Sequence, residues 1–409
     1  MFYTESRTIA ANYGRNDKVN ALSALLNLPE ADRTARGLVH TPSEISQQPD
    51  TWLSTFDLFR KKMPEIKQFL SSAELSSPPI VFLVGAGTSD YIGHSLANLL
   101  RNLWHCEVIA VASTDLLTHM DEFVLPKRKY LWISFSRSGD SPEGVAVLEK
   151  ALQRYPDIHQ LIISCNANGR MVRENAGKPQ VLCVCLDDAV NDRGLAMTSS
   201  FSNMVIFGQC LAHISDLTEY EQVLMKLTLT GKSFLPIAAD RAAELAQDGY
   251  KKACFVGSGA LKAIAVESAL KLLELTAGKT LAVSESALGL RHGPMAVLDQ
   301  QTMFVCLLSG NKRVQKYERD LLAEIGSKQL VKSRVVVTGN GFSASDTFAE
   351  HFVAPVVHLD VADDYRTVID VMFGQLLGMF FSLRCGLKPD SPSPSGAINR
   401  VVQNINIHA

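Results

Sequence analysis

The sequence PIVFLVGAGTS, residues 79–89, decides the fold. Its uninterrupted apolar run ends in glycines, which is typical of a strand buried on both faces of a parallel sheet. Four further strand-like segments follow it and alternate with helical segments such as PEGVAVLEKALQRY at 142–155. They are CEVIAVAS (106–113), KYLWISFS (129–136), QLIISCN (160–166) and QVLCVCL (180–186). The alternation predicts an α/β fold on a mainly parallel sheet flanked by helices.

The same landmarks recur in the second half of the chain. The pairs, with offsets of 171 to 174 residues, are VFLVGAG (81–87) with ACFVGSG (253–259), Ser138-Gly139 with Ser309-Gly310, and Asn166 with Asn340. Three landmarks at nearly one offset indicate a tandem duplication of one α/β domain.

The pattern predicts four parts: an N-terminal helical extension at 1–60, a first domain at 61–220, a second domain at 221–388 and a C-terminal tail at 389–409. In the extension, one helix is predicted to open at Thr41-Pro42 and a second near Gln48. The joint between the domains is helical, and Leu235-Pro236 predicts a break in it. The tail is rich in Pro and Ser and is expected to run irregularly over the surface.

Composition excludes several classes of protein. The 409 residues carry 40 Lys and Arg against 42 Asp and Glu, and a net charge of −2 argues against a nucleic-acid partner. A hydrophobic fraction of 46% excludes a disordered chain. The longest apolar run, 376–381, is too short to span a membrane, and the N-terminus shows no signal peptide. We therefore expect a cytoplasmic protein.

The cysteines and glycines do not favour a metal or a nucleotide. The eight cysteines lie mostly in apolar runs and form no CxxC pair, which favours reduced core thiols, although Cys183 and Cys185 leave a metal site open as an alternative. In GAGTSDYIG (85–93), Asp90 stands where the dinucleotide fingerprint needs its third glycine. We expect no cofactor.

A loop rich in serine follows the strand KYLWISFS. The segment SRSGDS, residues 136–141, which we call the serine loop, carries three hydroxyls and leads into Pro142, so that Ser141 is the expected N-cap of a helix. Hydroxyls beside a helix N-terminus are suited to a phosphate dianion. The alternative is an ordinary serine-rich turn. Thr88 and Ser89 favour the phosphate site because they follow another strand of the same sheet.

The second repeat carries candidate acid–base groups. Glu267, Lys271 and Glu274 are spaced by four and three residues and therefore share one helical face, which we call the acidic stripe. The alternative is a solvated face with weak ion pairs. Eighteen residues after Glu274, His292 precedes Gly-Pro and is expected on a turn, and His is the side chain best suited to move protons near neutral pH.

From about residue 60 to residue 400 the chain resembles the sugar isomerase (SIS) domain family, whose members carry two such α/β repeats. The matching motifs, in the family's order, are GTS (87–89), SRSGDS (136–141), ESALKLLE (267–274) and LRHGP (290–294). The resemblance, which includes the isomerase half of glucosamine-6-phosphate synthase, implies that Glu274 moves a proton between C1 and C2. It implies that His292 helps to open the sugar ring from a neighbouring subunit, and therefore a homodimer or larger homo-oligomer.

The resemblance also implies which residues bind the substrate. Lys271 and Glu267 would line the site, the tail would lie over it, and the sugar phosphate would be held by Thr88, Ser136, Arg137, Ser138 and Ser141. Further residues expected to bind the substrate are Gly87, Ser89 and Arg400. Two positions depart from the synthase pattern: Met197 replaces a sugar-contacting serine, and Arg400 lies in the stretch where a ring-opening lysine is expected. The Glu274-to-His292 spacing is also longer by two residues. The tail PSPSGAINRVVQ (392–403) and the turn NDRGLAMTSSF (191–201) resemble instead the AgaS group.

That resemblance implies deamination of D-galactosamine 6-phosphate to D-tagatose 6-phosphate, without metal or cofactor. The chain begins MFYTES and has no Cys before Cys106, so no cysteine-initiated glutaminase is expected to supply nitrogen for the reverse direction. Two alternatives stay open. One is an aldose–ketose isomerase of a hexose 6-phosphate that releases no ammonia, and the other is a non-catalytic sugar-phosphate sensor.

Overall fold

The computed structural model describes residues 19–72, 79–339, 347–357, 359–402 and 405–408. The landmark Asn340, the first 18 residues of the predicted extension and Gln403 of the tail motif lie outside these ranges. The chain divides into two compact units. The first-sheet unit comprises Thr51–Asp192, Ser199–Tyr220 and Ile398–Ala409, and the second-sheet unit comprises Met1–Asp50, Arg193–Thr198 and Glu221–Ala397, each in its described part.

Within residues 19–72, four helices precede the first sheet: α1 (Ala21–Leu26), α2 (Glu30–Arg36), α3 (Thr41–Ser46) and α4 (Gln48–Ser72). The two helices predicted in this region are confirmed as α3 and α4. Pro42 lies in the first turn of α3, where its missing N–H leaves no hydrogen bond unmade. In the first-sheet unit, α4 is anchored through Trp52, whose indole N–H donates to Ser202 Oγ over 2.9 Å.

The first sheet has five strands in the order β2-β1-β3-β4-β5, and every pair of neighbours is parallel. Its strands are β1 (Ile80–Gly85), β2 (Val108–Ala112), β3 (Tyr130–Ser136), β4 (His159–Ser164) and β5 (Val181–Cys185). Its helices are α5 (Thr88–Trp104), α6 (Ser113–Phe123), α7 (Pro142–Arg154), α8 (Arg170–Arg173) and α9 (Ser199–Ala212). Every residue of β1 and β3 is buried, which explains their continuous apolar runs.

The second sheet follows α10 (Thr218–Gln247) and has the order β10-β9-β8-β6-β7, again wholly parallel. Its strands are β6 (Lys252–Gly257), β7 (Leu281–Ser286), β8 (Thr302–Leu308), β9 (Ser333–Thr338) and β10 (His351–Val353). Its helices are α11 (Ala260–Leu275), α12 (Lys312–Ser327) and α13 (Asp363–Arg384). In both sheets the first strand in chain order lies between the second and the third, and the fourth and fifth follow the third. The two sheets therefore have the same topology, as a tandem duplication requires.

Helix α10 is continuous although it contains a proline. The predicted break at Leu235-Pro236 is wrong, because α10 runs without interruption through Pro236. A proline removes one backbone hydrogen bond, and burial of Phe234 and Ala238 on either side holds the helix together despite this loss.

Helix α13 is long and apolar enough to cross a membrane by length and composition, but 94% of its most apolar stretch of 18 residues is buried within the fold, as in a core helix.

Candidate active site

The serine loop and the Thr88-Ser89 pair lie at the same edge of the first sheet. Strands β1 and β3 are parallel neighbours with Val84 opposite Ser134, so their carboxyl ends meet at one edge. The serine loop leaves the end of β3, and α5 begins at Thr88 just beyond the end of β1. This edge of an open α/β sheet is where ligands are usually bound.

The serine loop packs against residues 166–171, which connect β4 to α8 and hold the loop in place. Gly139 has φ of 65°, which favours glycine, and a Cβ there would lie 3.1 Å from Gly169 Cα. The backbone oxygen of Gly139 accepts a hydrogen bond from Met171 N over 2.9 Å, and Asn166 Nδ2 donates to Ser138 O over 2.8 Å. In the sequence Asn166 stands out only as a repeat landmark, and no local pattern predicts this supporting role.

The serine hydroxyls shape the loop, and the start of α7 stays uncapped. Ser136 Oγ accepts from Gly139 N over 3.0 Å, and Ser138 Oγ accepts from Asp140 N over 3.2 Å. The prediction of Ser141 as the N-cap is confirmed, although its side chain makes no capping hydrogen bond. The first-turn N–H groups of α7 therefore lack a side-chain acceptor from their own cap, as an anion site at a helix N-terminus requires.

Two arginines link the serine loop to the C-terminal tail within the first-sheet unit. Arg137 is buried and donates from Nη2 to the backbone oxygen of Arg400. The guanidinium of Arg400 in turn donates to Asp192 O and to Asn191 Oδ1, each over 2.7 Å. Arg400, predicted to bind substrate, therefore holds the tail against the turn at 191–192, and substrate binding by Arg400 stays a prediction.

The acidic stripe of α11 is largely buried. The side chains of Glu267 and Lys271 are 0% and 1% exposed, whereas that of Glu274 is 23% exposed. Lys271 Nζ lies 3.4 Å from Glu267 Oε1 and 2.5 Å from Glu274 Oε2. The interpretation of the stripe as a solvated surface face is therefore wrong for its first two members. Buried charges are costly unless they are paired, and such groups are frequently retained for function.

Close packing of α13 against α11 explains this burial. Two glycines of α13, Gly374 and Gly378, are four residues apart and face α11. A Cβ at Gly374 would lie 2.3 Å from Ser268 Oγ, and one at Gly378 would lie 2.8 Å from Lys271 O. Only glycine at these positions lets the two helices approach closely enough to cover the stripe.

His292 lies on a turn, as predicted. It ends a short 3-10 helix at Gly289–His292, and Gly293, with φ of 123°, reverses the chain before Pro294. The side chain is exposed, and among the described residues no hydrogen bond joins it to Glu274. The neighbouring Arg291 donates to Glu324 Oε2 over 2.7 Å and fixes the turn.

The structure offers little support for metal or thiol chemistry. Within the described ranges, no group of three or more His, Cys, Asp or Glu side chains is arranged to hold a metal ion. All eight cysteines are free. Burial raises the pKa of Cys165 and raises that of Cys183 to about 11, so these thiols stay protonated and are poor nucleophiles.

Comparison with known proteins identifies close relatives over nearly the whole chain. The AgaS protein of Streptomyces coelicolor is 37% identical over 91% of this chain and 96% of its own length. The D-galactosamine-6-phosphate deaminase AgaS of Escherichia coli O157:H7 is 33% identical over 90% of this chain and 95% of its own length. The solved structure of tagatose-6-phosphate ketose/aldose isomerase from Escherichia coli has a TM-score of 0.81 at 30% identity and covers 90% of this chain and 96% of its own. No family model matches.

Proposed function

The chain belongs to the AgaS family of sugar isomerase (SIS) domain proteins, and we propose that it converts D-galactosamine 6-phosphate and water to D-tagatose 6-phosphate and ammonia. The relatives named above as a galactosamine-6-phosphate deaminase and a tagatose-6-phosphate isomerase both support an enzyme acting on a hexose phosphate. The observation on which the proposal chiefly rests is the buried Glu267–Lys271 pair beside the partly exposed Glu274.

In this proposal Glu274 is the base. Its Oε2 accepts a short hydrogen bond from Lys271, and Oε1 has no hydrogen-bond partner within the described residues. Oε1 is therefore the oxygen assigned to take a proton from the substrate. Lys271, held on its other side by Glu267, keeps positive charge beside the carboxylate and fixes its orientation.

The reaction balances without an added oxidant or reductant. The sugar ring opens to the aldehyde, and Glu274 removes the proton on C2, which gives an enolamine between C1 and C2. A proton delivered to C1 gives a ketose with an imine at C2. Water then adds to the imine carbon, and the C–N bond breaks to release ammonia and leave the C2 ketone. Proton transfers of this kind contribute about 10²–10⁴-fold in rate.

We assign the 6-phosphate to the serine loop. Ser138 and the uncapped N-terminus of α7 offer hydroxyl and backbone N–H donors, and a helix N-terminus favours a negative charge. Thr88 and Ser89 belong to the same sheet edge. Arg137 is assigned a supporting role because its guanidinium already binds the tail.

We assign ring opening to His292 acting in a neighbouring subunit of a homodimer. The exposure of its side chain and the absence of a hydrogen bond to Glu274 in the described part of the chain support a role outside its own subunit. A two-fold dimer is the commonest assembly of soluble proteins. The proposal places the enzyme in the cytoplasm, in agreement with its reduced cysteines.

An isomerase that releases no ammonia is the second candidate, because the structural relative from Escherichia coli carries that name. Incubation of the pure protein with galactosamine, glucosamine and tagatose 6-phosphates, with separate assays for ammonia and ketose, decides between them. The proposal expects equal amounts of ammonia and tagatose 6-phosphate from galactosamine 6-phosphate. Conversion of tagatose 6-phosphate to an aldose with no ammonia from either amino sugar would establish the second candidate instead.

A further inference from the structure

The second repeat contains a counterpart of the serine loop, and carboxylates of the protein accept hydrogen bonds from its hydroxyl and N–H groups. Residues 309–311, which we call the second loop, follow β8 as the serine loop follows β3. Ser309 is only 1% exposed. Its hydroxyl donates to Asp363 Oδ2 over 2.5 Å, and Gly310 N donates to Asp363 Oδ1 over 2.8 Å. Ser309 N donates to Glu318 Oε2 over 2.8 Å.

A buried arginine completes this arrangement. The side chain of Arg366 is 1% exposed, and its Nη1 lies 3.3 Å from Asp363 Oδ1 and donates to Leu308 O over 2.8 Å. Its Nη2 pairs with Asp370 over 2.7 Å. The Asp363 carboxylate is therefore held by a hydroxyl, a backbone N–H and a guanidinium. Donors of these three kinds are the ones that hold oxyanions in proteins.

The serine loop of the first repeat differs at the corresponding positions. Like the hydroxyl of Ser309, which accepts from Asn311 N, those of Ser136 and Ser138 accept from backbone N–H groups of their own loop. Among the residues that the structure describes, no carboxylate accepts a hydrogen bond from either hydroxyl. The two loops thus follow equivalent strands but differ in whether the chain itself supplies an anion.

We infer that the second loop is an oxyanion site that the chain fills with its own Asp363 carboxylate. One consequence is that only one of the two loops is free to take a phosphate. That Asp363 fills the second loop does not depend on the proposed function. The expectation that each chain binds one phosphate does rest on the proposed function.

Local charge also opposes phosphate at the second loop. Negative charge is costly in these buried surroundings, and burial raises the pKa of Glu318 and raises that of Asp370 to about 6. A phosphate dianion would add charge beside both groups. A small monovalent carboxylate such as formate would only replace the charge of Asp363, and formate is therefore the probe that fits the emptied site.

The first test is chemical rescue. Asp363→Ala removes the internal carboxylate and is expected to lower the melting temperature. Sodium formate is expected to raise that temperature by about 2 °C, relative to sodium chloride of equal ionic strength, at ten times its dissociation constant. In the wild-type protein, formate and chloride should change the melting temperature equally. Asp363→Ala/Ser309→Ala lacks one of the site's donors and should lose most of the formate response.

The second test needs no change at Asp363 and decides the matter if Asp363→Ala does not fold. Phosphate should raise the melting temperature of the wild-type protein but not of Ser138→Ala/Ser141→Ala, because the second loop is closed. A folded Asp363→Ala without formate response would overturn the inference. So would a phosphate response in Ser138→Ala/Ser141→Ala that disappears when Ser309→Ala is added. A residual response that Ser309→Ala does not alter would refute the phosphate assignment alone.

Discussion

Replacement of Lys271 by methionine tests whether the acidic stripe is a buried charge cluster. Lys271→Met keeps the bulk of the side chain but leaves Glu267, which is 0% exposed, without its cation at 3.4 Å. Coulomb's law with an effective dielectric constant of about 20 gives an attraction of about 5 kcal/mol at that separation. Loss of one partner of a buried pair is measured at about 3–5 kcal/mol. We expect a loss of unfolding free energy in that range, measured by urea denaturation followed by circular dichroism.

The matched control is Lys262→Met, since Lys262 pairs with Glu285 over 3.1 Å but is 49% exposed. An exposed pair contributes about 0.2–1 kcal/mol, so this variant should be much less destabilised. The variant Glu267→Gln/Lys271→Met leaves neither charge of the Glu267–Lys271 pair and should be at least about 1 kcal/mol more stable than Lys271→Met alone. Equal losses in Lys271→Met and Lys262→Met, or simple additivity in the double variant, would refute the reasoning.

Three further predictions concern the phosphate, the assembly and pH. Ser138→Ala and Ser141→Ala should each weaken substrate binding by about 1–3 kcal/mol in calorimetric titrations, and unchanged affinity in both would remove the phosphate from the serine loop. A mixture of inactive Glu274→Gln and inactive His292→Ala subunits should regain part of the activity, whereas a mixture that stays inactive after demonstrated subunit exchange would place each site in one chain. Burial lowers the pKa of His213, so the unfolded chain takes up its proton first and stability falls as pH drops below about 6.5. Melting temperatures of His213→Gln should fall less between pH 7 and pH 5 than those of the wild type, and parallel curves would show that His213 does not contribute.

Local sequence patterns predicted the positions of most elements but not what covers them. Helical spacing placed Glu267, Lys271 and Glu274 on one face, because the period of 3.6 residues is a property of a single helix. Burial of that face depends on α13, about 100 residues later in the chain, and on Gly374 and Gly378. No periodicity within α11 carries that information.

Local sequence patterns also fail to predict hydrogen-bond partners that lie far apart in the chain. The spacing of the repeats identifies Ser309-Gly310 as a landmark, but it does not identify Asp363 as the hydrogen-bond partner. Asp363 lies 54 residues after Ser309 and 53 after Gly310. The tail around Arg400 is recognisable as a motif, yet the contacts of Arg400 with Asn191 and Asp192 form only when the tail reaches the turn at 191–192. Long-range pairs of this kind are fixed by tertiary structure, and spacing along the chain does not predict them.

The most direct test of the account is ammonia release from galactosamine 6-phosphate by Glu274→Gln. Glutamine keeps the size of the side chain and removes its basicity. We predict that kcat falls by about 10²–10⁴-fold while substrate affinity, measured by calorimetry, changes little. Glu350→Gln, which alters an exposed carboxylate paired with Arg334, should keep its turnover. Near-normal ammonia release by Glu274→Gln would contradict the account, because Glu274 could then not be the base.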